Sequence, residues 1–104
     1  EAPAGESTTV MLRNIPNRIR NEDVRALLDD HGFGGAYTRV HLPFDGRSRC
    51  NLGYAFVEFV SPAWFDAAMA RLGGLRFPQS QSQKVTQVSV ARSKEESDLL
   101  KGKA

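Results

Sequence analysis

The sequence predicts an α+β domain: one four-stranded antiparallel sheet with two helices packed on one of its faces. Three observations predict it. Four stretches are rich in β-branched and aromatic residues, or alternate with period two, and each ends at turn residues. Two further stretches repeat apolar residues at i, i+3, i+4 and i+7 behind a helix-start signal. The six stretches follow one another as β-α-β-β-α-β, an order that closes into a single sheet and leaves its second face open. The 104 residues fit one domain.

Residues 1–8 are small and polar and contain Pro and Gly, so they read as a disordered leader. The first strand is Thr9–Arg13, broken by Asn14-Ile15-Pro16-Asn17. Asn21 suits a helix N-cap, and Glu22 and Asp23 follow where acids favour the helix dipole. Val24, Leu27, Leu28 and His31 make one face, and Gly32 stops a helix over residues 22–31. Tyr37–Leu42 alternates, with Tyr37, Arg39 and His41 on one side and Thr38, Val40 and Leu42 on the other. Pro43 ends it, and Phe44 to Arg49 is a turn-bearing basic loop.

The third strand spans Leu52–Val60. Ser61 at the N-cap and Pro62 at the first helical position start the second helix. Its apolar stripe is Phe65, Ala68, Met69 and Leu72, and Gly73-Gly74 ends it. A polar loop over residues 75–83 holds Phe77, expected to close the core. Lys84–Ala91 is the fourth strand, with Val88 and Val90 on one side and Gln87 and Ser89 on the other. The domain is thus expected over residues 9–92, with a tail over 93–104 that carries Leu99-Leu100 on a short helix.

Composition narrows the function. The formal charge is +2, and of 14 basic residues only Lys84, Lys94, Lys101 and Lys103 are lysines. Arginine suits forked contacts to phosphate and stacking on bases. Cys50 is the single cysteine, so no intrachain disulfide forms. That fits a reducing, intracellular compartment, nuclear or cytoplasmic. No apolar run approaches the roughly 18–20 residues that a membrane span needs. The two histidines and one cysteine lack metal-site spacing, so neither metal nor other cofactor is expected. A start at Glu1 fits a piece of a longer protein, and the domain itself is expected to be a monomer.

The chemistry concentrates in the third strand. Along Leu52-Gly53-Tyr54-Ala55-Phe56-Val57-Glu58-Phe59, period two puts Ala55, Val57 and Phe59 on a core face. Tyr54, Phe56 and Glu58 then lie on the open face. Exposed rings on a sheet are landing pads for bases, because every base offers a flat π surface.

This stretch resembles the eight-residue signature of the RNA recognition motif, K/R-G-F/Y-G/A-F-V-x-F/Y. Every position agrees except the first, where Leu52 replaces a basic residue. Val10-Met11-Leu12-Arg13-Asn14-Ile15 resembles the companion six-residue signature, with Met11 where an aromatic is usual. A thioether can still lie against a base. With the element order, the resemblance covers residues 9–92 and implies the ferredoxin-like fold of that motif and binding of single-stranded RNA. Val10 to Asn17, Leu42 to Asp45, and Cys50-Asn51-Leu52-Gly53-Tyr54-Ala55-Phe56 are further similar to the C-terminal RNA recognition motif of the Mei-two-like family. In that subgroup Cys-Asn and an apolar residue precede the glycine. The resemblance implies a larger regulator of meiosis or development.

Residues expected to assist Tyr54, Phe56 and Met11 follow from strand geometry. Arg13, Arg39 and His41 project on the same face, and Gln87 and Ser89 can read base edges. Arg47 and Arg49 in the loop and Arg92 at the exit of the fourth strand complete a basic rim. Two other readings share this element order. One is a protein-binding module using the helical face through Trp64 and Phe77. The other is a small acylphosphatase-like enzyme. Asn14-Ile15-Pro16-Asn17 is no Gly-rich phosphate cradle and no nucleophile–base pair is evident, so catalysis is not expected.

Overall fold

The computed structural model describes residues 8–91. Strand β1 is Thr9–Arg13, helix α1 Asn21–Leu28, β2 Tyr37–His41, β3 Tyr54–Phe59, α2 Pro62–Arg71 and β4 Gln87–Val90. The strands form one antiparallel sheet in the order β2-β3-β1-β4, the arrangement of a ferredoxin-like RNA recognition motif. Arg92 and the expected tail helix from Ser93 lie outside the described residues, as do residues 1–7 of the expected leader. Among the described residues no helix is long and apolar enough to cross a membrane.

Alternation in the two central strands places the core. Val10 and Leu12 of β1 pair with Val57 and Ala55 of β3, and all four are fully buried. Against this face pack Val24, Leu27 and Leu28 of α1 and Ala68 and Leu72 at α2. Phe77 joins the same cluster at 3% exposure. Ser61 caps α2 by accepting the Trp64 N–H, with Pro62 in the first turn.

Four local differences from the sequence reading have physical causes. Asn21 is the first residue of α1 rather than its cap. Asp23 instead reaches back to accept the Arg20 N–H at 2.9 Å, and the Asn21 amide donates to the Val40 carbonyl, tying α1 to β2. The α-helix ends at Leu28 and a wide turn over Asp29–Phe33 follows. Gly32, at φ +89°, bends it so that Phe33 swings fully into the core, edge-on to Trp64.

In β2 the alternation breaks at Thr38. Tyr37 pairs with Phe59 and Arg39 with Glu58, so an extra residue bulges between them. Tyr37 therefore turns to the helical side, where its hydroxyl donates to Asp29 and the Arg25 guanidinium sits over its ring. Burial, then the bond to the Asp29 carboxylate, pushes its pKa up. Finally, β3 and β4 are shorter than the alternation suggests. The Leu52 N–H donates to Pro43, outside the ladder, and Thr86 folds inward to donate to the Leu72 carbonyl.

Candidate nucleic-acid interface

The face of the sheet away from the helices carries the side chains left over from the core. The register brings Met11, Phe56, His41 and Ser89 into one row across all four strands. A second row holds Arg13, Tyr54 and Gln87, and a third pairs Arg39 with Glu58. The middle of this face is aromatic and thioether, and its margins carry charge. Arg13, Arg39, His41 and Gln87 are exposed. Among the described residues the Ser89 hydroxyl is buried yet has no hydrogen-bond partner.

The two rings differ more than the sequence suggests. Tyr54 is half-buried, whereas Phe56 is only 9% exposed. Neither belongs to the cluster beneath the helices. The expectation that both stand open in solvent is corrected for Phe56. It occupies the central row between Met11 and His41, and Tyr54 meets its ring edge-on at 5.7 Å between centroids. Tyr54, one row nearer the end of the strand, keeps more of its ring accessible.

The loop between β2 and β3 is built, not loose. Its ends are joined by a bridge between Phe44 and Asn51. The Asp45 N–H donates to Cys50 and the Arg49 N–H to Asp45, closing a tight reversal with Arg49 at φ +61°. The Asp45 carboxylate accepts the N–H groups of Arg47 and Ser48 at 3.4 and 3.2 Å. Hydrogen bonds from Ser48, side chain first, then from the Ser48 and Arg47 backbone, hold that carboxyl below the usual aspartate range. Arg47 and Arg49 are both exposed.

Two features escaped the sequence reading. Phe44 and Leu52 are large apolar side chains about half exposed at the base of this loop. Asn51 is buried at 5% and spans from this loop to the β1–α1 turn. Its burial is hidden in sequence, because the groups that enclose it, the Pro16 and Ile19 carbonyls, lie more than 30 residues away. Phe77 lies inside the core, as expected of it, which takes it out of the alternative protein-binding surface with Trp64. Trp64 is itself partly packed against Phe33. A partner on the helical face would thus not meet Phe77.

Comparison with known proteins agrees with this architecture. Residues 7–102 match the family described as RNA recognition motif 2. The chain is similar to Protein MEI2-like 3 of Arabidopsis thaliana, at 35% identity over 85 residues, 82% of this chain and 11% of that protein. It is similar to Protein MEI2-like 2 of Oryza sativa subsp. japonica at 33% identity over 82% of this chain and 10% of that protein. The chain thus spans about a tenth of the length of these curated relatives. Among solved structures, the Rna15 RRM with bound RNA (GU) superposes with a TM-score of 0.71 at 21% identity, covering 90% of this chain and 93% of that one. A likeness at that identity shows the fold alone.

Proposed function

The chain belongs to the RNA recognition motif 2 family, and from that premise we propose that it binds single-stranded RNA on the open face of its sheet. The observation that carries the reading is the half-buried Tyr54 ring on the face opposite the helices, in one row with the exposed Arg13 and Gln87. A base stacks on Tyr54, and that contact is worth about 1–3 kcal/mol. Phe56, nearly enclosed, holds Tyr54 edge-on and offers a narrower surface beside Met11. The exposed Gln87 reads base edges by hydrogen bonds, and Ser89, whose hydroxyl is buried, lines the same face. Arg39, His41, Arg47 and Arg49 meet the backbone, and Arg92, outside the described residues, is expected from sequence to join them. Within a longer Mei-two-like protein, the domain would serve RNA regulation in meiosis or development.

The test is fluorescence anisotropy with a labelled short single-stranded RNA, repeated across salt concentrations. Affinity falls as salt rises, because arginine–phosphate contacts release counterions. Tyr54→Ala weakens binding while the variant stays folded. An affinity unchanged by that substitution would remove the stacking reading. Binding of a protein partner by the helical face is not favoured, because Phe77 is closed off beneath the surface.

A further inference from the structure

The Asn51 side chain uses both ends of its amide. Its Nδ2 donates to the carbonyls of Pro16 at 2.8 Å and Ile19 at 2.9 Å. Its Oδ1 accepts the Gly53 N–H at 2.7 Å, and its own N–H donates to the Asn17 carbonyl at 3.0 Å. The Gly53 carbonyl then accepts the Ile15 N–H at 3.1 Å. Gly53 stands at φ +93°, where a Cβ would be strained though nothing lies within 4 Å of it. The next residue is Tyr54, the first of β3, opposite Arg13 of β1.

Only an amide satisfies this set. Two carbonyls need donors and one N–H needs an acceptor, all inside a 5% exposed position. A carboxylate would set an oxygen against two carbonyl oxygens, and an aliphatic residue would take the partner from the Ile19 carbonyl and the Gly53 N–H and leave the Pro16 carbonyl with the Ile19 N–H alone. We propose that Asn51 is a positioning residue for RNA binding. By fixing the Gly53 peptide between the β1–α1 turn and β3, it sets the direction in which the Tyr54 ring leaves the sheet. The proposal rests on the stacking role of Tyr54 and assigns Asn51 no contact with RNA. A purely structural Asn51 would lower stability but act on binding independently of Tyr54.

A double-mutant cycle separates the two. The affinity for a short labelled single-stranded RNA is measured for the native chain, Asn51→Ala, Tyr54→Ala and the double variant. Each is confirmed folded at the assay temperature by circular dichroism. In the native background Asn51→Ala weakens binding about three- to tenfold, part of what losing a stacked base would cost. With Tyr54 already Ala, the same change costs less than about twofold. Equal losses in the two backgrounds, or no loss in the native one, overturn the proposal alone. A Tyr54→Ala variant that binds like the native chain overturns the stacking reading and this proposal with it. Where Asn51→Ala does not fold, Gly53→Ala takes its place in the cycle. It disturbs the same peptide from an open position, with the same expected and overturning results.

Discussion

The two faces of the sheet come from the same four strands and obey different rules. On β3 the side chains Ala55, Val57 and Phe59 point under the helices and are almost wholly buried. Tyr54, Phe56 and Glu58 alternate with them on the other side. The buried face is a packing problem, solved by apolar volume. The open face holds the half-buried Tyr54 and the exposed Arg13, Arg39 and His41 around Met11 and the nearly enclosed Phe56. On the proposed reading, that polar and aromatic chemistry outside the main core makes this face the binding surface.

The sharpest way to break the comparison is to truncate one ring on each face. Phe59→Ala removes a 3% exposed ring that packs 5.7 Å from Phe33. It should cost about 3–5 kcal/mol of stability by urea denaturation. Tyr54→Ala should leave stability within about 1 kcal/mol. It should weaken RNA binding by about 1–3 kcal/mol, measured by anisotropy. Equal stability losses would mean that the open face is a second core.

Smaller effects sharpen the margins. Arg47→Ala or Arg49→Ala should leave unfolding unchanged. Each should flatten the slope of log affinity against log salt by about 0.7 for every phosphate it no longer neutralises, as for single strands. A slope unmoved by both would place the RNA path away from this loop. The smallest effect is acid-dependent. Hydrogen bonds to the ionised Asp45 depress its pKa, so their contribution is fully present above its ordinary value of about 3.9. It fades as pH drops through the lower folded value. Amide chemical shifts of Arg47 and Ser48 should therefore hold steady from neutral pH down to about 4 and change only below that. Asp45→Asn should show the loosened loop already at neutral pH.

Much of the fold was legible because the two periods are clean. β1, the start of α2 at Ser61-Pro62, and the split of β3 into two faces all follow from residue order. What was not legible depends on contacts distant in sequence. Nothing local announces that Thr38 bulges and sends Tyr37 to the helical side, since the pairing partner Phe59 decides it. Phe33 reads as a loop residue until Gly32 turns the chain and drops it into the core. An apolar residue just beyond a helix-ending glycine was the available signal. The site was legible as to face and less so as to exposure. Alternation gives the side on which Phe56 lies, but its 9% exposure reflects neighbours on two other strands. Asn51 stands out in sequence only as part of a family signature, while its hydrogen bonds to Pro16 and Ile19 exist only once the loops meet.

The most direct measurement of the central claim is an NMR titration of the isotope-labelled domain with short single-stranded RNA. Shift changes are predicted to gather at Met11, Arg13, His41, Tyr54, Phe56, Gln87 and Ser89, with Trp64 and Met69 on the helical side unmoved. Changes gathered on the helical side, or a Tyr54 signal indifferent to RNA at saturation, would contradict it.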